Sequence, residues 1–92
     1  MPIFAVIATK NAQRVRERIE ALASSSEGSI TGYYELKPDT WFLAYRGATR
    51  QLAEDLGIRK GETGSGVVLS VENYSGRAGG DLWEWFKVNS AE

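Results

Sequence analysis

Apolar residues in this 92-residue chain switch several times between the spacing of a strand and the spacing of a helix. Residues 3–8 form a nearly unbroken apolar run, which is typical of a central strand covered on both faces. Residues 10–24 then carry apolar side chains at helical spacing and predict an amphipathic helix, with Thr9 or Asn11 as its N-cap. The chain therefore begins with a strand followed by a helix.

The next two segments predict a β-hairpin. Residues 29–36 alternate in a period of two, which places Ile30 and Tyr34 on the same face of a half-buried strand. Residues 37–40 contain a proline and an aspartate in turn positions, and residues 41–45 are rich in strand-forming side chains.

A second helix and a further strand follow. Residues 47–56 predict a short helix with Thr49 as its N-cap and Gly57 as its glycine stop. The glycine-rich residues 59–66 lead from a helix into a strand, which is the reverse of a phosphate-binding loop, so they predict a plain flexible loop. Residues 67–71 predict a core strand.

The last segment predicts a short aromatic helix. Asp81 and Glu84 are spaced as an N-cap and its third helical residue. The apolar arc of this helix consists of Leu82, Trp83, Trp85 and Phe86. We expect it to dock on a sheet face that the rest of the chain leaves open.

This order of elements predicts an α+β fold of the ferredoxin-like βαββαβ type, as a single domain of residues 1–92. Two helices would lie on one face of a four-stranded antiparallel sheet. The other face would be covered by the terminal helix or by a second copy of the chain.

Composition excludes several functions. The chain has no cysteine and no histidine, so it offers no thiol nucleophile and no zinc site of the usual kind, and we expect no metal and no cofactor. The net charge of -1 gives no global attraction to nucleic acid or to an anionic membrane. Because no apolar run is long enough for a bilayer span or a signal peptide, we expect a cytoplasmic protein without membrane contact.

The leading functional hypothesis is a non-enzymatic interaction or regulatory module. It would bind a protein partner or form a homodimer through its C-terminal aromatic segment and the open sheet face. It rests on the missing catalytic chemistry and on more aromatic surface than one sheet and two short helices need. The predicted contact residues are Tyr74, Arg77, Trp83 and Trp85. Arg77 comes just before a helix start, where an anion can bind, although a carboxylate at the Asp81 N-cap would compete with it.

The alternative is a nucleic-acid-binding domain. Its contacts would be Lys10, Arg14, Arg18, Arg50 and Arg77, and its aromatic strand residues could stack bases. Against it, arginines such as Arg16 are spaced for ordinary surface pairs, in this case with Glu20. The third hypothesis is a small-molecule enzyme, which would need a pocket around Glu35, Asp39 or Glu72.

Four segments together carry a resemblance: the strand at residues 4–8, the Thr-Trp-Phe-Leu strand at 40–43, the short helix at 48–56 and the strand at 67–71. In this pattern the chain resembles the small ferredoxin-like proteins grouped with the CRISPR adaptation subunit and its SinR-like relatives. The resemblance implies a homodimer and a link to nucleic acid. Some members are metal-dependent nucleases with an aspartate at the end of the first strand. Here residues 8–11 read Ala-Thr-Lys-Asn, so no catalytic residue is carried over.

A second likeness concerns the C-terminal end of the chain. Residues 74–78 and 82–85 look like the end of small bacterial proteins that have no assigned function. This likeness supplies no activity.

Overall fold

The chain folds into four strands and three helices. A computed structural model describes residues 2–25, 29–77 and 79–90. The elements are β1 (Ile3–Lys10), α1 (Ala12–Ser24), β2 (Ile30–Lys37), β3 (Thr40–Tyr45), α2 (Thr49–Asp55), β4 (Ser65–Val71) and α3 (Gly80–Ser90). The predicted α+β class and the four-stranded antiparallel sheet are confirmed.

The strands form one sheet in the order β2-β3-β1-β4, and every neighbouring pair is antiparallel. The apolar β1 is central, as its sequence predicts. The prediction of a core strand at residues 67–71 is wrong, because β4 lies at the edge of the sheet and pairs with β1 alone. An edge strand is covered by neighbours on one side only, so apolar side chains alone do not identify a central position.

Helices α1 and α2 cover one face of the sheet, and their apolar side chains merge with those of the strands. This main core consists of the buried side chains Phe4, Val6, Ala8, Val15, Ile19, Ile30, Trp41, Leu43, Tyr45, Leu52, Leu56 and Ile58. Trp41 is fully buried. Large apolar side chains of this kind each contribute roughly 1.5–3 kcal/mol on burial, so this cluster dominates the stability of the fold.

A charged link holds α1 against the hairpin. The Arg16 guanidinium donates from Nε to Glu35 Oε1 at 2.8 Å and from Nη2 to Glu35 Oε2 at 3.1 Å. The Trp41 indole N–H donates to the same Glu35 Oε1 at 3.1 Å. Arg16 therefore reaches across to β2 and does not pair with Glu20 as its spacing predicted, because a bidentate carboxylate contact is stronger than an exposed pair along one helix.

The prediction that Ile30 and Tyr34 lie on the same face of β2 is wrong. Ile30 lies in the main core, whereas Tyr34 packs on the opposite face of the sheet. The pairing with β3 is irregular between Ile30 and Gly32, where β2 carries one extra residue. A β-bulge of this kind shifts the alternation by one, so residues on its two sides no longer share a face.

The helix ends agree with the sequence only in part. Asn11 is the residue before α1, but it adopts a left-handed conformation and its side chain makes no capping hydrogen bond. Ala48, and not Thr49, precedes α2, since its extended backbone accepts the first helical bond, from Leu52 N. Gly57 ends α2 in the left-handed region at φ 72°, as predicted.

Two glycines at the start of β4, one just before the strand and one within it, have a packing role. A side chain at Gly64 would meet the backbone oxygen of Lys10, and one at Gly66 would meet the backbone oxygen of Ile7. The loop therefore ends in a segment that lies tightly against the end of β1. Only glycine allows two backbones to approach so closely.

Candidate interaction surface

The sheet face opposite the main core is partly covered by α3 of the same chain. Leu82 and Phe86 are buried there against Ile3 and Ala44. The partly buried side chains around them are Tyr34, Phe42, Val71, Trp83 and Trp85. These nine residues are called the second cluster below. The terminal helix thus docks on its own sheet, which was one of the two coverings expected from the sequence.

Aromatic contacts fix the position of α3. The Phe86 ring lies 4.9 Å from the ring of Phe42 and 4.2 Å from that of Tyr74, on which it stacks. Trp83 stacks on Tyr74 at 6.1 Å, and Trp85 lies 6.2 Å from Tyr34. Such pairs add about 0.5–1.5 kcal/mol each to the burial of the rings.

A hydrogen bond ties the start of α3 to β2. The Tyr34 hydroxyl donates to Asp81 Oδ2 at 2.9 Å, and this bond together with the nearby carboxylate charge raises the pKa of Tyr34. Asp81 lies in the first turn of a helix that begins at Gly80, so its predicted role as N-cap is wrong. Its carboxylate anchors the helix to the sheet. Because Asp81 lies in the first turn, its negative charge also interacts favourably with the positive end of the helix dipole.

The second face is only partly covered. Ile7 lies on the same face as Ile3 by strand alternation, and it pairs directly with Val67 of β4. Leu69 follows on that face. The exposed fractions are 38% for Ile7 and 47% for both Val67 and Leu69. These three residues form the open patch, an apolar surface on two adjacent strands beside the docked helix.

Three of the four predicted contact residues, the aromatic ones, lie together on this side of the molecule. Trp83 and Trp85 are half-buried in the second cluster. Tyr74 packs against α3 with 49% of its surface exposed. Arg77 is exposed in the segment between β4 and α3. The aromatics therefore combine two roles, since they hold α3 in place and present their outer edges to solvent.

An open sheet face was expected from the sequence, but the residues of the open patch were not identified, although a geometric signal for an exposed remainder was available. An 11-residue helix is about 16 Å long and about 10 Å wide. A four-stranded sheet is about 14 Å wide, and its eight-residue strands are about 26 Å long. A single helix of this size cannot cover such a face, so part of it has to remain exposed.

The basic residues of the alternative hypothesis lie on more than one side. Arg18 donates from Nε to the backbone oxygen of Asp55 at 2.9 Å, and Arg50 pairs with Glu54 at 3.6 Å. Lys10 and Arg14 are also exposed. Arg18 and Arg50 belong to helices on the main-core face, whereas Arg77 follows the strand that borders the open patch.

A charged cleft lies at the end of α2. It has a volume of about 360 Å³ and is lined by Arg50, Glu54, Arg59, Lys60 and Glu62. Both arginines contact Glu54, at 3.6 and 3.5 Å. The cleft therefore mixes both signs of charge, and its two arginines share one carboxylate. The carboxylates considered for an enzyme do not line it.

Within residues 2–25, 29–77 and 79–90, acidic side chains do not gather into a group of three or more that could hold a metal ion. None of the described helices has the length and apolar character needed to cross a bilayer.

No protein-family model matches the chain, and no curated protein is significantly similar to it.

Alkaline pH should destabilise the protein through Tyr45. Burial, the 2.7 Å hydrogen bond to Asp55 and the charges of Asp55 and Glu54 raise the pKa of Tyr45 well above its ordinary value. Below pH ~10 both the folded and unfolded chains keep the Tyr45 proton, and its contribution to stability is complete. Above that pH the unfolded chain loses the proton first, so the free energy of unfolding falls.

Denaturant midpoints measured between pH 8 and pH 11 check this prediction. We expect Tyr45→Phe to show a smaller alkaline loss than the wild type. Tyr33→Phe, which removes a phenol from the surface of β2, is the matched control and should keep the wild-type loss. Equal slopes for the wild type and Tyr45→Phe would contradict the assignment.

Proposed function

We propose that this chain is a ferredoxin-like interaction module that binds a protein partner or a second copy of itself. Read from β4, the sheet order is β4-β1-β3-β2, and α1 and α2 cover one face of it. That arrangement supports the ferredoxin-like assignment. The resemblance to the CRISPR adaptation group belongs to this proposal at the level of fold, without nuclease activity.

The observation that carries the proposed function is the open patch. Ile7, Val67 and Leu69 expose apolar surface on adjacent strands, in contact with a face that is otherwise buried by α3. Contiguous apolar surface in water favours burial by another molecule. The exposed parts of Tyr74 and Trp83, which stack on each other, and the exposed Arg77 supply further groups that are common at interfaces.

Ile7→Lys tests the proposal. It places a charge in the centre of the open patch, where the side chain is partly exposed and the fold can tolerate it. We expect the wild type to associate, with itself in light scattering or with a protein captured from extract, and Ile7→Lys to lose that association. The matched control is Val88→Lys, because Val88 is 65% exposed on α3 and lies outside the patch.

The same light-scattering measurement also tests the alternative hypothesis, which is that the chain binds nucleic acid. The wild type is run with mixed RNA and DNA oligonucleotides at low and near-physiological salt. Co-elution that weakens as salt rises would favour the basic residues, since phosphate contacts release counterions. A monomer that captures no protein, or equal behaviour of Ile7→Lys and Val88→Lys, would contradict the proposed function.

A further inference from the structure

Strand β4 leaves one side of its backbone without a strand neighbour. It lies at the end of the order β2-β3-β1-β4 and is paired with β1 alone. The outward N–H and C=O groups of an edge strand form a template on which another strand can add. The occupant that such an edge fits is therefore an extended strand.

The other edge of the sheet is protected, and β4 is not. Strand β2 carries the charged residues Glu35 and Lys37, and its pairing is irregular at two places. Charges and bulges are the usual devices that prevent a strand from adding to an edge. Strand β4 has the sequence Ser-Gly-Val-Val-Leu-Ser-Val, without charge or proline. Its residues 66–71 pair with β1 without a shift.

The sequence of β4 is also compatible with itself in antiparallel orientation. About a centre at Val68, Val67 stands opposite Leu69, and Gly66 stands opposite Ser70. Two copies related by a twofold axis would thus place apolar beside apolar and small beside small at these inner positions, while Ser65 stands opposite Val71 at each end. No like charges meet within the seven residues. A twofold axis uses the same surface on both copies, so one self-complementary strand is sufficient.

We propose that two copies of this chain pair antiparallel along β4, with Val68 at the twofold axis, to form a continuous eight-stranded sheet. This inference rests on the proposed function, of which it names the partner and the mode. Val67 and Leu69 of each copy then contact Leu69 and Val67 of the partner subunit. The two open patches join into one apolar surface across the axis, and Val67 and Leu69 of each copy lose part of their exposed area to contacts with the partner strand.

Two double variants with the same loss of apolar surface test the pairing. In Val67→Lys/Leu69→Glu, opposite charges face each other across the axis, whereas in Val67→Glu/Leu69→Glu like charges do. We expect the wild type and the first variant to be dimers in light scattering. The second should dissociate, with a dissociation constant raised about tenfold or more over that of the first. Circular dichroism checks that both variants are folded.

Introduced cysteines test the register of the β4 pairing. Because the chain has no native cysteine, any disulfide must join the introduced residues. An equimolar mixture of Val67→Cys and Leu69→Cys should form a disulfide-linked dimer under mild oxidation. Each variant alone should crosslink poorly, because identical positions are diagonal neighbours about 7–8 Å apart. Both positions are half exposed, so the substitutions leave the core unchanged.

The outcomes separate the pairing from the proposed function. A monomeric wild type, or a mixture that crosslinks no better than either variant alone, would overturn the pairing along β4. So would equal dissociation of the two charge variants. If Ile7→Lys then still abolished binding to a captured protein, the proposed function would stand without the edge dimer. If the dimer persisted in Ile7→Lys and no other protein bound, the pairing along β4 would stand and the proposed role of the open patch would be overturned.

Discussion

Replacing Phe86 by alanine should lower the free energy of unfolding by about 3–5 kcal/mol. Phe86 is 2% exposed and contacts Phe42, Tyr74 and both tryptophans of α3. Its removal leaves a cavity in the second cluster and breaks the stack that positions the helix. Denaturant unfolding measures the loss. Tryptophan fluorescence should shift to longer wavelength as Trp83 and Trp85 become more hydrated.

Val88→Ala is the control for this change. It shortens an apolar side chain of the same helix that is mostly exposed, so the expected change is within about 0.5 kcal/mol. An equally small effect of Phe86→Ala would mean that α3 does not dock on its own sheet. The second face would then be open along its whole length, and the open patch would be only a part of it.

Replacing Trp41 by alanine should cost about 3–5 kcal/mol as well, and we expect it to leave the domain close to unfolded. Trp41 is the largest fully buried side chain of the main core. Its loss creates a cavity between α1 and the sheet and removes one donor from Glu35, which also binds Arg16. Thermal unfolding and the yield of folded protein measure the effect.

Trp41→Phe separates the two contributions. It keeps an aromatic ring in the main core but removes the N–H that donates to Glu35. We expect a loss between those of the wild type and Trp41→Ala. If Trp41→Phe were as destabilising as Trp41→Ala, the hydrogen bond to Glu35 would outweigh the packing of the ring, contrary to the burial of this residue.

The order of the elements could be predicted because the apolar residues of each segment recur with the spacing of a strand or of a helix. The apolar run of β1, the alternation of β2 and the helical spacing of α1 are local properties of the sequence. The glycine stop at Gly57 is local too, since a left-handed residue after a helix favours glycine. Predictions of this kind depend on neighbouring residues only.

Features that depend on distant residues could not be predicted in the same way. The bulge near Ile30 results from how β2 pairs with β3, and it moves Tyr34 to the other face. Asp81 has the spacing of an N-cap, but its tertiary partner is the Tyr34 hydroxyl, 47 residues earlier.

The candidate surface was predicted in part for the same reason. The aromatic residues of α3 attract notice as a group, and the structure brings Trp83, Trp85 and Tyr74 together. The open patch depends instead on where α3 stops covering the sheet. Val67 and Leu69 look like ordinary core residues until β4 is placed at the edge.

Because α3 is joined to β4 by a short segment, it acts as a tethered competitor for half of the second face. A tether of this length holds a ligand at an effective concentration on the order of 1 mM. A foreign helix present at about 1 µM would therefore have to bind the covered half about a thousandfold more tightly than α3 to displace it. Helix α3 does not compete for the exposed Ile7, Val67 and Leu69. A partner can therefore bind there without first displacing a part of the chain.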